Sequence, residues 1–251
     1  MKINLDLTKS LEENAALYFE KAKKSRKKIE GIDKAISLAN SKLKEVPRKK
    51  AFVKKVDSKK HWYERFRWCF SSEGFLLVGG KDAPTNEEVI KKHAEKGDVV
   101  LHTDMAGSPF VVIKSEGKDI PDLTKAEAAQ FVAAFSRAWK KGLGSIEVFW
   151  VLPDQVTKQA NAGESLPTGA FMIRGKTNYV SSNMDYAVGI LEDGRVMGGP
   201  LRSVKKHCSK FVKIRQANGK TSDVAKQIRK QIGGDLDSIV RALPAGCEVA
   251  R

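Results

Sequence analysis

The chain has 251 residues, 41% of them apolar, so it can bury a core and can form one domain with an appendage, or two domains. Its 46 Lys and Arg against 30 Asp and Glu leave a net charge of +16, which attracts polyanions and makes nucleic acid the expected partner. Cys69, Cys208 and Cys247 have neither disulfide nor zinc-site spacing, and no run of about 18 consecutive apolar residues occurs. We therefore expect a reducing, cytoplasmic setting, no membrane span, and no bound metal or cofactor.

The first 60 residues are predicted to form a basic helical arm and linker. They contain 18 Lys and Arg against 8 Asp and Glu, a net charge of +10 out of the total of +16. From Leu11 the apolar residues recur at alternating steps of four and three, which is the seam of a coiled coil. Ser10 and Glu13 form a capping box at its start, and Pro47 ends it. Residues 48–60 are predicted to be either a short second helix or an extended linker.

Cations are dense along the flanks of this arm, where acidic residues are too sparse to pair with them. They are candidate contacts for nucleic-acid phosphates, with an ordinary solvated face as the alternative. They are Lys21, Lys23, Lys24, Arg26, Lys27 and Lys28.

After residue 60, short β-like runs are interrupted irregularly by helical patterns. Strands are predicted at 66–70, 75–78, 99–102, 110–113, 147–152, 170–174, 186–191 and 211–215, the first two forming a hairpin. Helices are predicted at 86–94, 124–141, 221–232 and 236–243, with Thr124 and Glu127 as a capping box. This order favours an α+β fold with a mixed, largely antiparallel sheet and inserted helices behind the arm. The predicted domains are 1–60, a core at 61–185, and a strand and helix extension at 186–251 that packs on the core.

Residues 61–68 interleave aromatic rings with His and Arg, a composition suited to stacking on unpaired bases. Aromatic residues at a spacing of two also form protein cores. We predict that Trp62, Phe66 and Trp68 pack inside, while Arg65 and Arg67 point outward to RNA.

Two further segments carry candidate residues of the RNA site, which are Lys81, Asp82 and Asn86 in the first and His102 and Asp104 in the second. Gly79 and Gly80 precede Lys81, Asp82 and a helix predicted to begin near Asn86. Free backbone N–H groups at the start of this helix, beside the lysine, can bind a phosphate, although the segment lacks the spacing of a P-loop. His102 and Asp104 follow a strand and precede a glycine turn. They are predicted either to hold that turn by hydrogen bonds or to act as base and orienter or as metal ligands.

A glycine-rich polar loop leads into the predicted strand at 170–174. Gln155 and Lys158 lie before the loop, and Arg174 and Lys176 lie at the exit of the strand. Such residues are natural contacts for RNA phosphates, and ordinary loop structure is the alternative.

In order along the chain these motifs resemble the NFACT-R domain, the RNA-binding domain at the C-terminal end of ribosome quality-control factors. The resemblance covers about residues 58–185, and the segments that carry it are 62–68, 80–82 with 86–87, 102–104, 136–139, 155–158, 163–164 and 171–176. The family usually has a second histidine where this chain has Ala106.

The resemblance implies an RNA-binding protein that is not an enzyme, with tRNA, ribosomal RNA and the large ribosomal subunit as partners on stalled complexes. The cations of the arm would then contact the ribosome. Two alternatives stay open. One is a metal-dependent RNA-processing enzyme that uses Asp82, His102, Asp104 and Glu164. The other is an interaction scaffold, in which the arm forms a homodimer or docks another protein.

Overall fold

A computed structural model describes residues 4–45 and 60–250, except 162 and 164, and gives only the backbone of residues 39–45. The chain divides into two compact units, residues 1–58 and 59–251. The predicted linker at 48–60 lies outside the described residues, apart from Lys60. None of the helices in the described part of the chain has the length and apolar character that a bilayer span needs.

The first unit contains one long helix, α1, at Leu11–Glu45. The predicted capping box is confirmed, because the Ser10 backbone N–H donates to Glu13 Oε2 at 2.8 Å and the Glu13 N–H donates to Ser10 Oγ at 3.2 Å. The residues before the helix fold back onto it, where the buried amide of Asn14 donates to the Asp6 carbonyl at 3.0 Å. The six cations of residues 21–28 are all exposed, as are Ile29, Ile32 and Ile36 of the apolar seam.

The second unit begins with a 3-10 turn at Trp62–Arg65 and contains twelve strands in its described residues. The strands are β1 (Arg67–Phe70), β2 (Leu76–Gly79), β3 (Val99–His102), β4 (Val111–Ile113), β5 (Ser145–Val151), β6 (Val156–Thr157), β7 (Met172–Ile173), β8 (Asn178–Asn183), β9 (Tyr186–Leu191), β10 (Val196–Pro200), β11 (Cys208–Gln216) and β12 (Cys247–Val249). The helices are α2 (Ala83–His93), α3 (Asp122–Ala134), α4 (Arg137–Lys140), α5 (Leu201–His207), α6 (Thr221–Ile232) and α7 (Leu236–Ala242).

The strands form three sheets in which every described pairing is antiparallel. The largest has the order β1-β2-β4-β3-β5-β8, the second has the order β10-β9-β11-β12, and β6 pairs with β7 alone. Strands β2, β3 and β4 are rich in Val, Leu and Ile, and side chains from both faces of these strands are buried. The predicted α+β class with an antiparallel sheet behind a helical arm is confirmed.

One buried core joins the two larger sheets. It includes Leu77 and Leu101 from the first sheet, Phe131 from α3, and Tyr186 and Ile214 from the second sheet. Helix α3 packs against strands of both sheets. The residues after 186 therefore share a core with those before it.

Helix α2 begins three residues before the predicted position. Asp82 caps it, because its carboxylate accepts the Thr85 backbone N–H at 2.9 Å, and Pro84 lies in the first turn. Proline is well tolerated there, since first-turn N–H groups have no partner inside the helix. The prediction of a start near Asn86 was therefore wrong.

The predicted single helix at 124–141 is two helices, α3 and α4, separated at Phe135 and Ser136. Ser136 Oγ accepts the Ala138 N–H at 3.1 Å and so caps α4. The predicted capping box was wrong, because Glu127 accepts the backbone N–H of Ser72 at 2.7 Å and Thr124 donates to Glu73 at 2.7 Å. Both side chains therefore hold the β1–β2 hairpin, not the start of a helix.

Candidate nucleic-acid interface

The described residues of the second unit enclose a cleft of about 730 Å³. Its walls are the loop between β2 and α2, the loop between β3 and β4, the break between α3 and α4, and residues 168–173. Five of the residues predicted as RNA contacts line it: Arg67, Lys81, Asp82, Asn86 and His102.

Arg67 forms one wall of the cleft and is half-buried. Its guanidinium donates to the Gly80 carbonyl at 2.6 Å and lies 4.3 Å from the ring centroid of Phe135. Burial lowers its pKa below the ordinary value of 12.5, which leaves it charged at neutral pH. The expectation that Arg67 points freely outward was therefore wrong, whereas Arg65 is exposed and pairs with Glu88 at 2.7 Å.

The aromatic residues before β1 divide differently from the prediction. Phe66 is buried as expected, and Trp68 is half-buried. Trp62 is 43% exposed and stacks on His93 with ring centroids 4.2 Å apart, so it does not belong to the core.

Lys81 and Asp82 lie where β2 leads into α2. The Lys81 ammonium donates to the Arg65 carbonyl at 2.5 Å. Partial burial, followed by the positive charges of Arg241 and Arg67, lowers the pKa of Lys81 below its ordinary value of 10.5. Hydrogen bonds from the Thr85 side chain and backbone lower the pKa of Asp82, so this carboxylate is ionised while it caps the helix.

Asn86 holds two segments of the cleft together. Its Oδ1 accepts the Phe110 backbone N–H at 3.1 Å. Gly80 lies so close that an added Cβ would come within 2.6 Å of the Asn86 nitrogen. Glycine at this position therefore lets the β2–α2 turn lie against the helix.

His102 lies in the floor of the cleft and stacks on Phe110 with ring centroids 4.1 Å apart. Its Nδ1 is 2.6 Å from the Thr103 carbonyl, and its Nε2 is 3.2 Å from the Ser108 carbonyl and 3.4 Å from Ser108 Oγ. Burial lowers the pKa of His102 below 6.5, so the ring is neutral at neutral pH. We assign the proton to Nδ1, and the ring then positions the turn at 103–108.

Asp104 is exposed at the edge of this turn and accepts the Tyr179 hydroxyl at 3.3 Å. Among the residues that the structure describes, no group of three or more His, Cys, Asp and Glu is arranged to hold a metal ion. Glu164, the fourth residue of the metal alternative, lies outside the described residues.

The remaining predicted contacts lie beside the cleft and do not line it. Gln155 Nε2 donates to the carbonyls of Arg174 and Lys176, both at 2.9 Å, and so holds the β6–β7 hairpin. The Lys158 ammonium forms an ion pair with Glu87 at 2.9 Å and lies 4.7 Å from the ring centroid of Phe171. The side chains of Arg174 and Lys176 are exposed.

Two cations of the cleft were absent from the predicted site, Arg137 and Lys140 of the short helix α4. Their signal was present in the sequence, because a serine directly before an Arg-x-x-Lys spacing can start a new helix whose first turn presents both cations. Because residues 124–141 were predicted as one continuous helix, the start of α4 after Ser136 was not predicted.

Among the described residues that line the cleft, four are cations and one is a carboxylate: Arg67, Lys81, Arg137 and Lys140 against Asp82. Phenylalanine side chains from positions 110, 135, 149 and 171 line the same space. The fold and these residues define an antiparallel α+β domain with a cleft whose charges suit an anionic ligand and whose rings suit a flat one.

The family model described as the NFACT protein RNA binding domain matches residues 65–175, which include most of the cleft. Residues 65–175 therefore match that domain family. The resemblance predicted from the sequence is thus confirmed.

Two curated relatives extend this result. The archaeal Rqc2 homolog aRqcH of Methanocaldococcus jannaschii is 41% identical over 206 residues, covering 79% of this chain and 31% of that protein. The ribosome quality control complex subunit NEMF of Homo sapiens is 37% identical over 174 residues, covering 66% of this chain and 16% of NEMF. The chain thus spans less than a third of the length of either relative.

A solved structure, the C-terminal part of the fibronectin/fibrinogen-binding protein from Streptococcus suis, is 20% identical to the chain. The alignment covers 69% of this chain and 76% of that chain with a TM-score of 0.41. At that TM-score the likeness supports no conclusion.

Proposed function

We propose that this protein is a non-catalytic RNA-binding protein of ribosome-associated quality control, which binds tRNA and the large ribosomal subunit on stalled complexes in the cytosol. The observation that carries the proposal is the cleft with four cations and one carboxylate, located largely within residues that match an RNA-binding domain. Relatives described as ribosome quality control subunits supply the cellular context.

The cleft suits a nucleotide of an RNA chain in two ways. Lys81, Arg137 and Lys140 provide positive charge for phosphate oxygens. The guanidinium of Arg67 lies over Phe135 and forms a flat surface on which an unpaired base can stack. RNA without a regular duplex at the contact point is therefore the expected ligand.

The other predicted site residues have different roles in this proposal. Gln155 and Lys158 shape the loop at 155–176 through the bonds described above, while exposed Arg174 and Lys176 follow the lining residue Ile173 and contact RNA that extends past the cleft. Asp82, His102 and Asp104 hold the surrounding turns. The exposed cations of the arm add phosphate contacts with the ribosome.

The test is binding to tRNA, to purified large ribosomal subunits and to random-sequence RNA across a salt series. The variants are Arg137→Gln with Lys140→Gln, and, as a matched control on α6, Arg229→Gln with Lys230→Gln. The cleft variant should weaken binding at every salt concentration and lower the slope of log affinity against log salt by about 2, since two phosphate contacts are lost. Charge reversal at Lys27 and Lys28 tests the arm separately.

Equal affinity of the cleft variant and the α6 control would contradict the proposed site, and equal binding of tRNA, subunits and random RNA would contradict the proposed role. The recovered RNA is also examined on a gel. Cleavage that a chelator abolishes would favour the metal-dependent enzyme instead.

The exposed seam of the arm favours a second role, pairing with another copy of the same helix. Ile29, Ile32 and Ile36 follow the coiled-coil spacing and are 57%, 57% and 53% exposed within the first unit. Replacing all three with Gln should convert a dimer to a monomer in sedimentation experiments. A wild-type protein that sediments as a monomer at high concentration would rule out this pairing.

A further inference from the structure

We infer that the RNA cleft extends beyond the family-matched residues to helix α7, where Arg241 is a phosphate contact. This inference rests on the proposed function of the cleft and adds a binding residue to it. The family model ends at residue 175, so it does not include α7.

The first observation is that the chain after α7 reaches the cleft. Ala245, three residues after the last residue of the helix, is part of the cleft lining together with Arg137 and Lys140. The C-terminal end of α7 is therefore at the rim of the same space.

The second observation is that this end of α7 is firmly attached. The buried Tyr186 hydroxyl donates to the Ala242 carbonyl at 2.7 Å. The indole N–H of Trp139, in α4, donates to the Gly246 carbonyl at 3.0 Å. These bonds lie on either side of Ala245, so they fix the rim relative to the helix that presents Arg137 and Lys140.

The third observation is the charge at this rim. Arg241 is exposed in the last turn of α7. After burial, its positive charge is the largest of the effects that lower the pKa of Lys81, so the two cations lie close enough to repel each other. A phosphate between Arg241 and Lys81 would replace this repulsion with two attractions, whereas an apolar ligand would not.

The experiment compares Arg241→Gln with Arg229→Gln, since both arginines are exposed on neighbouring helices and only Arg241 lies at the helix end that leads to Ala245 of the cleft. The probe is purified tRNA across a salt series. Arg241→Gln should weaken binding roughly fivefold to tenfold at moderate salt and lower the salt slope by about 1, as for one lost phosphate contact. Arg229→Gln should bind like the wild type, and Arg241→Lys should restore most of the affinity and the slope.

Circular dichroism of each variant first establishes that the fold is intact, which is expected because the Arg241 side chain is exposed. If Arg241→Gln binds like Arg229→Gln while Arg137→Gln with Lys140→Gln binds weakly, the inference about α7 is wrong and the cleft stands. If all of these variants bind like the wild type, the cleft itself is not the RNA site. A loss of affinity with an unchanged salt slope would also overturn the inference, because it would indicate altered packing and not a lost phosphate contact.

Discussion

The ammonium nitrogen of Lys158 lies 2.9 Å from Oε2 of Glu87 and 3.0 Å from the Pro167 carbonyl. The same carboxylate oxygen accepts the Gly169 N–H at 2.9 Å. Helix α2 therefore holds the loop that contributes Thr168, Gly169 and Ala170 to the cleft. Lys158, whose position before a glycine-rich loop suggested an RNA contact, thus connects two walls of the cleft.

Lys158→Ala should therefore lower the stability of the fold and leave the salt slope of RNA binding nearly unchanged. Because the ion pair is partly exposed and solvent screens it, we expect only a small shift of the urea midpoint to lower concentration. Lys96→Ala, at an exposed position outside the cleft, is the control. A drop of the salt slope by about 1 would instead make Lys158 a phosphate contact.

Glu87 should give the fold a distinct dependence on acid. Its hydrogen bond with Lys91, then those with Gly169 and Lys158, lower its pKa from 4.5 to about 2. Because the folded state binds the proton less well than the unfolded chain, this contribution is fully present above pH 4.5 and is lost as the pH falls towards 2. Glu87→Gln should lower stability at neutral pH and flatten the decline below pH 4.5, measured as urea midpoints.

The matched variant Glu192→Gln, at an exposed turn position between β9 and β10, should keep the acid-dependent decline of the wild type. Parallel decline of the Glu87→Gln variant and the wild type would show that Glu87 does not cause it.

Gly80→Ala should destabilise the cleft. The added methyl group would lie 2.6 Å from the Asn86 nitrogen and 2.8 Å from its Cα, both backbone atoms that cannot move without shifting α2. Overpacking of this kind costs about 1–3 kcal/mol. Gly144→Ala, with no atom within 4 Å of its added methyl group, should stay within about 0.5 kcal/mol of the wild type in the same denaturation experiment. Equal stability of the two variants would contradict the close packing of the β2–α2 turn.

Ser136→Ala should show how the capping of α4, as distinct from a direct phosphate contact, affects stability and tRNA binding. The substitution removes the hydroxyl that caps α4 and should cost about 1 kcal/mol. Since Arg137 is the first residue of α4, we also expect weaker tRNA binding with an unchanged salt slope. Ser136→Thr, which keeps the hydroxyl, is the control and should retain stability. Equal losses for both variants would indicate that side-chain volume at this buried position, and not the cap, is responsible.

The fold was largely predictable from local patterns. Helix α6 has the predicted bounds, and strands β3 and β9 do as well, because their hydrophobic periods and their end signals agree. Strands β6, β8, β10 and β12 and helix α5 were missed. Strand β8 reads Asn-Tyr-Val-Ser-Ser-Asn and β10 contains two glycines and a proline, so neither has the composition of a strand, and both depend on their neighbours in the sheet.

The candidate site was predictable only in part. Lys81, Asp82 and Asn86 are neighbours in sequence, and their grouping followed from the turn before α2. Ser136 signals the start of a helix at Arg137, but only the packing of α3 against the sheets, and of α4 against α3, brings Arg137 and Lys140 to the cleft. The remaining predicted contacts and the domain boundaries stay predictions.

The hydrogen bonds of Trp139 with Gly246 and of His207 with Ser71 join residues that are 107 and 136 positions apart. During synthesis, the face of the first sheet that is buried in the folded protein therefore stays uncovered until the second sheet has been made. Most of the second unit must leave the ribosome before its core can close, and until then the apolar side of the first strands is open to chaperones or to aggregation.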